Sequence, residues 1–140
     1  MQIAKSLGIS SGMAGASGPA MNPFAEELRE RTLRFALRVL RFCRTLPTDW
    51  EGRFVADQLF RSSSRTSANY HATCRARSRR DFVSKLGLVV EESDEAVFWL
   101  TFIGRAGMNE SAEQKDLLNE GKELLAIFVK SAKTAGGNPQ

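Results

Sequence analysis

Four amphipathic stretches joined by short polar segments make up most of this chain. In the first stretch, apolar or tolerant residues recur from Leu28 to Leu46 in alternating steps of four and three, so they share one side of a helix. The same helical period returns in three later stretches, as expected of helices that each bury one side in a bundle. The four predicted helices run from Asn22 to Leu46, from about Trp50 into 75–78, from Ser78 to Gly107, and from Ser111 to Gly136.

Cap and turn residues mark the boundaries of these helices. Asn22 is followed by Pro23, an N-cap residue before a proline at the first helical position, and the segment Ser111 to Gln114 matches a capping box. Pro47 interrupts the first helix, and Thr48 or Asp49 caps the second. Connections of about 3–5 residues make sequential helices antiparallel. The sequence therefore predicts an all-α fold, an up-down-up-down antiparallel four-helix bundle.

The periodic part of the chain forms one predicted domain, residues 22–135. Residues 1–21 are rich in Gly, Ser and Ala and lack the unbroken apolar segment of a signal peptide. We predict a disordered tail there and another at residues 136–140, and translation starting at Met21 is an open alternative. No apolar run reaches the roughly 20 residues of a membrane span. Two cysteines without metal-type spacing favour a reduced, cytoplasmic compartment.

Basic residues are concentrated in the first half of the bundle, and all of them are arginine. Residues 24–80 contain thirteen Arg and six acids, whereas residues 81–140 contain six basic residues and ten acids. Arginine pairs with phosphate through two hydrogen bonds and stacks on bases, so a surface of this kind predicts binding to RNA or DNA. The predicted nucleic-acid-binding residues are Arg31, Arg34, Arg38, Arg41, Arg61, Arg65, Arg75, Arg77, Arg79 and Arg80.

Two other interpretations of these arginines stay open. They form a solvated helix face, or they pair with acids of the third and fourth helices across a subunit contact. If they pair, the alternative function is a scaffold for protein–protein interaction, or an accessory subunit, with no direct role on nucleic acid. The acidic cluster Glu91, Glu92, Asp94 and Glu95 is expected to pair with arginines of the first two helices.

Catalytic and metal-binding patterns are missing from the sequence. The single histidine, His71, has only Cys74 near it at ligand spacing, and the Glu-x-x-His motif of di-iron bundles does not occur. We therefore predict no enzyme activity, no catalytic residue, no metal and no cofactor. An enzyme would need a pocket that joins Glu95 to His71. Three large aromatic residues are instead predicted at an oligomer interface: Trp50, Phe98 and Trp99.

The stretch from Arg61 to Leu100 carries a more specific signal. Its elements, in chain order, are RSS (61–63) with SANY (67–70), RARS (75–78), DF (81–82) with KLG (85–87), EESDE (91–95) and FWL (98–100). Together they resemble the four-helix bundle proteins encoded by intervening sequences of bacterial 23S ribosomal RNA genes. The resemblance covers about residues 24–108, and the fourth helix is less diagnostic.

This resemblance implies a homopentameric ring whose basic surface contacts nucleic acid. It also implies kinship with the accessory variability determinant of diversity-generating retroelements, which partners a reverse transcriptase. No catalytic residue is implied. The chain departs from the expected pattern at His71, in place of arginine, and at Thr101, in place of glutamate. Each departure removes a charge from a possible pairing network.

Overall fold

The computed structural model describes residues 22–136, and it confirms the all-α four-helix bundle. Both predicted tails lie outside the described residues, except Gly136, which caps the last helix. Within this part of the chain, no helix is long and apolar enough to cross a membrane. The four helices are α1 (Pro23–Cys43), α2 (Trp50–Thr73), α3 (Arg79–Arg105) and α4 (Ala112–Ala135).

Each helix begins at a polar residue whose side chain accepts a hydrogen bond from a backbone N–H of the first turn. These contacts satisfy amides that have no partner within the helix. They fix the first residue of every helix close to the predicted position. The caps are Asn22 for α1 (2.8 Å), Asp49 for α2 (2.9 Å), Ser78 for α3 (3.0 Å) and Ser111 for α4 (3.2 Å).

Contacts between the helices show that neighbours run in opposite directions. Arg31 and Arg38 of α1 reach Glu120 and Glu113 of α4, so a later residue on one helix meets an earlier residue on the other. Thr32 likewise donates to Ser67 across α1 and α2. At the start of α3, Arg79 donates to the carbonyl of Thr134 near the end of α4. The bundle therefore has the up-down-up-down arrangement, closed by α1 against α4.

The core is apolar on three helices and largely hydroxyl-bearing on α2. Phe35, Phe82 and Phe128 are among the fully buried side chains contributed by α1, α3 and α4. On α2 four buried hydroxyls donate to backbone carbonyls of the preceding turn, and Ser67 accepts a hydrogen bond from Thr32 instead. No buried side-chain polar atom of residues 22–136 lacks a partner. Small side chains let neighbouring helices approach α2 closely. The buried polar residues of α2 are Ser62, Ser63, Thr66, Ser67 and Thr73.

Candidate nucleic-acid interface

Arg31 of α1 forms ion pairs with two glutamates of α4. Its Nε lies 2.7 Å from Glu120 Oε2 and its Nη2 lies 2.8 Å from Glu120 Oε1, which is a two-pronged pair. The same Nη2 lies 2.8 Å from Glu123 Oε1. The hydrogen bond to Glu120 raises the pKa of Arg31 above its usual range, although burial acts in the opposite direction. The Nε and Nη2 atoms of this guanidinium are thus engaged by carboxylates, and the residue joins α1 to α4.

Two more arginines of the predicted α1 face also meet carboxylates. Arg38 lies 3.2 Å from Glu113 of α4, and Arg34 lies 3.3 Å from Glu27 on its own helix. Arg41 is exposed, with no carboxylate of residues 22–136 within 4.0 Å. Three of the four predicted residues on α1 are therefore already paired within the chain. This face is engaged by acids of its own chain, rather than across a subunit contact as the pairing interpretation placed them, and it is not a free phosphate-binding surface.

On α2, Arg61 and Arg65 are exposed along the side that looks towards α3 and solvent. Arg61 pairs with Asp57 one turn earlier, at 3.3 Å. Arg65 lies near Glu92 of α3, where its charge opposes the rise in the pKa of Glu92 that burial causes. Both arginines thus keep an acid close by.

The pairing expected for the acidic cluster of α3 is wrong. Among residues 22–136, none of its four acids lies within 4.0 Å of a basic nitrogen. The arginines of α1 pair across to α4 instead, because α4, and not α3, closes the bundle against α1. Glu95 accepts a hydrogen bond from the indole N–H of Trp99, at 3.3 Å. Glu91, Asp94 and Glu95 are exposed, and Glu92 is half-buried near Arg65 of α2.

The connection between α2 and α3, together with the first two turns of α3, carries a different set of basic residues. We call this set the basic elbow: Arg75, Arg77, Arg79, Arg80 and Lys85.

All four arginines of the basic elbow are exposed, and none has a carboxylate of the described residues within 4.0 Å of its guanidinium. Arg75, Arg77 and Lys85 line an open concavity of about 740 Å³. The acid among its lining residues is Asp81, held by Lys85 Nζ at 2.8 Å and by the backbone N–H of Arg77 at 3.1 Å. The hydrogen bond from Lys85, followed by that from Arg77, lowers the pKa of Asp81. The elbow therefore keeps a net positive charge facing solvent.

The sequence interpretation did not include Lys85 among the binding residues. Its position one turn after Asp81 is the only signal for it, and that spacing is equally typical of a helix-stabilising pair. The concavity that Lys85 lines is created by the turn between α2 and α3, which no local pattern describes. The structure thus gathers the four predicted elbow arginines and adds a lysine.

The three residues predicted at an oligomer interface belong to one exposed surface, which we call the aromatic patch. Trp50 is 70% exposed and Phe98 is 55% exposed, whereas Trp99 is half-buried. The Trp99 ring packs edge-on against Phe98 at 4.9 Å and against Phe102 at 5.3 Å between ring centroids. Phe54 and Phe102 were missed, although each stands four residues after a predicted member. The aromatic patch comprises Trp50, Phe54, Phe98, Trp99 and Phe102.

A second apolar surface runs between α1 and α2, and we call it the α1–α2 groove. It has a volume of about 310 Å³, and two of its leucines, Leu33 and Leu37, are each two-fifths exposed. His71 lies on its wall and donates its Nδ1–H to the carbonyl of Ser67 at 2.8 Å. The groove was not predicted. Its lining consists of Leu33, Ala36, Leu37, Leu40, Phe60, Ser64, Ser67, Ala68 and His71.

Histidine, cysteine and acidic side chains do not converge in the described part of the chain. No group of three or more of them there is placed to hold a metal ion. Cys43 is half-buried and lies 3.5 Å from the carbonyl of Ala56, and burial raises the pKa of its thiol to about 11. Burial likewise raises the pKa of Cys74. Both thiols are therefore kept in the protonated, weakly nucleophilic form.

Comparison with known proteins gives a fold relationship. No protein-family model and no curated protein matches this chain. Among solved structures, it is similar to a protein of unknown function from the S23 ribosomal protein family of Bacteroides thetaiotaomicron, with a TM-score of 0.70 and 24% sequence identity. The match covers 76% of this chain and 98% of that chain. At this identity the likeness shows the fold alone, and it supports the bundle that the sequence resemblance implied.

Proposed function

We propose that this chain is a non-catalytic four-helix bundle that associates with itself and binds nucleic acid through the basic elbow. The observation that carries the proposal is the contrast between two sets of arginines. Those of α1 are largely paired with glutamates, whereas those of the elbow face solvent and lack carboxylate partners in the described residues, and Arg75 and Arg77 among them line a concavity. Unpaired guanidinium groups on a rigid turn are free to contact phosphates.

Self-association is supported by the apolar surfaces of the molecule. The aromatic patch leaves several large rings in water, and contiguous exposed apolar surface is typical of interaction sites. Aromatic residues are also enriched among the residues that dominate binding energy at protein interfaces.

Binding is tested with a fluorescein-labelled single-stranded RNA of about 20 nucleotides, measured by anisotropy at about 100 mM salt. The elbow variant Arg75→Gln/Arg77→Gln/Arg80→Gln is expected to bind at least tenfold more weakly, since three phosphate contacts are lost. The matched control, Lys115→Gln/Lys122→Gln/Lys130→Gln, removes the same charge from exposed positions of α4. It should change affinity by less than about threefold, because net charge alone acts weakly at this salt.

A third variant separates the two arginine sets. Arg34→Gln/Arg38→Gln/Arg41→Gln neutralises the α1 face, whose side chains mostly have acid partners already. We expect a smaller loss of RNA affinity than in the elbow variant. If the elbow variant and the lysine control lose the same RNA affinity, the assignment of binding to the elbow is wrong. If the wild-type protein binds neither RNA nor duplex DNA, the proposed nucleic-acid function is wrong.

A scaffold function is the second candidate, and one observation favours it. The α1 arginines are engaged within the chain while the aromatic patch is open, which suits a protein that binds other proteins, for example as an accessory subunit of a reverse transcriptase. Under this alternative, the elbow variant leaves all partner binding unchanged and the aromatic patch is the surface that matters.

A further inference from the structure

Two apolar surfaces lie on opposite sides of α2. The aromatic patch faces the α3 side, where it lines a concavity of about 500 Å³, and the α1–α2 groove faces the α1 side. Six of the eight large apolar side chains that are exposed in residues 22–136 belong to these two surfaces. Their concentration in two places, rather than scatter over the bundle, indicates that both are contact surfaces.

The two surfaces differ in shape in a way that suits one to the other. Trp50 and Phe98 are the most exposed apolar side chains of the patch and stand out from α2 and α3. The groove has small residues between its leucines, Ala36 on α1 and Ala68 on α2, which leave room for an inserted ring. Projecting aromatic anchors that fill a recess are the usual core of an energetic interface.

The charges around the two surfaces are opposite. The patch is bordered by more acids than arginines. Glu51 lines its concavity, Asp94 precedes Phe98 by one turn, and Glu95 contacts the Trp99 indole. Its basic residues are Arg53 and Arg105, which follow Trp50 and Phe102 by one turn.

The groove is bordered mainly by arginines. Arg41 and Arg44 follow Leu37 and Leu40 by one turn, and Arg75 follows His71 by one turn, all three exposed. None has a carboxylate of the described residues within 4.0 Å. Glu30, one turn before Leu33, is an acid at the far end of this row.

From this complementarity we infer that the aromatic patch of one copy of the chain docks into the α1–α2 groove of a second copy. The contact is head-to-tail, because patch against patch would bring acid against acid and groove against groove would bring arginine against arginine. Each copy then keeps one free patch and one free groove, so the contact repeats until the assembly closes. The inference rests on the self-association in the proposed function. The groove border shares Arg75 with the basic elbow, so the test below uses variants at other residues.

The test uses two variants that each break one surface. Trp50→Glu/Phe98→Glu disables the patch, and Leu33→Glu/Leu37→Glu disables the groove. All four positions are exposed, so both variants should fold, and circular dichroism with thermal unfolding checks this. Both broken surfaces carry glutamate, so they repel each other. We expect wild-type protein to be oligomeric and each variant alone to be monomeric by light scattering coupled to gel filtration.

Mixing the two variants distinguishes head-to-tail docking from every symmetric contact. The patch variant keeps an intact groove and the groove variant keeps an intact patch, so the mixture should form a 1:1 heterodimer and stop there. Phe24→Glu, at an exposed position outside both surfaces, should leave the wild-type assembly intact.

Three results would overturn the inference. A mixture that stays monomeric, with wild type oligomeric, rejects the head-to-tail contact and leaves self-association standing. A groove variant that remains oligomeric rejects the groove as the docking site. Wild-type protein that is monomeric at about 100 μM rejects self-association as well, whatever the RNA measurements show.

Discussion

The individual arginines of this protein have different roles because their neighbours differ. Arg31 and Arg34 lie one turn apart on α1, yet Arg31 is 26% exposed between two glutamates of α4 and Arg34 is 58% exposed beside Glu27. An ion pair that is largely removed from water loses more when one partner is deleted, because the remaining charge stays poorly solvated. The same residue type is thus structural at one position and nearly neutral to stability at the next.

Substituting each arginine by methionine measures this difference, since methionine retains much of the apolar stem. Arg31→Met should lower the free energy of unfolding by about 1–2 kcal/mol, and Arg34→Met by less than about 0.5 kcal/mol. Urea denaturation of both variants gives the values. If the double variant Arg31→Met/Glu120→Met is more stable than Arg31→Met alone, the ion pair itself is responsible for the loss of stability. If Arg31→Met and Arg34→Met lower the free energy of unfolding equally, this account is wrong.

The sequence predicts the role of an arginine only when its partner is close to it along the chain. The face formed by the arginines of α1 is visible from their spacing, but the Glu120 partner of Arg31 is 89 positions away. Only the closure of α4 against α1 brings them together. For the same reason, the acidic cluster of α3 was assigned to arginines of α1 and α2, whereas the α1 arginines pair with α4 and, on α2, Arg65 lies near Glu92 without forming an ion pair.

At the scale of helices, the boundaries were predictable and the buried side of α2 was less so. Cap residues and stripes of leucine and phenylalanine are unambiguous, so every helix begins where a cap indicated. On α2, Ala68 is exposed, whereas Thr66 and Tyr70 are buried, and residue type alone does not indicate this. Serine and threonine bond to their own helix backbone, so they are compatible with either side and carry little directional signal.

Two glycines give a prediction about how helices tolerate a methyl group. Gly52, in the first turn of α2, packs against Pro47 in the connection between α1 and α2. A Cβ added at Gly52 would stand 2.6 Å from the Pro47 carbonyl carbon. Gly52→Ala should therefore destabilise the protein by about 2 kcal/mol or more, because backbone has to move. Gly87 within α3 has nothing within 4 Å of the same position. Gly87→Ala should stabilise by about 0.5–1 kcal/mol, since alanine favours helix.

Urea or thermal unfolding of the two glycine variants decides the point. Both substitutions add one methyl group to a helical residue, so helix propensity favours alanine in both. If Gly52→Ala lowers the free energy of unfolding and Gly87→Ala raises it, the close contact with Pro47 is the reason that position 52 requires glycine. If Gly52→Ala instead stabilises the protein, the backbone at Pro47 shifts at little cost in free energy.

At the scale of the whole molecule, charge and apolar surface are distributed over separate regions. The arginine-rich half supplies the elbow and the border of the groove, and the acid-rich half supplies most of the border of the patch. The proposed nucleic-acid contact is almost purely ionic. The proposed contact between copies has an apolar centre with ionic edges. The two contacts should therefore respond differently to salt.

Raising sodium chloride from about 50 to 500 mM separates them in one sample. Four elbow arginines on single-stranded RNA correspond to a slope of about −2.8 in log affinity against log salt, a loss on the order of several hundred-fold. Self-association should weaken by less than about tenfold, because apolar burial is insensitive to screening and only the edge charges are lost. Anisotropy and sedimentation velocity report the two equilibria. Equal salt slopes would mean that RNA binding and assembly use the same charges, and the elbow would then belong to the subunit contact.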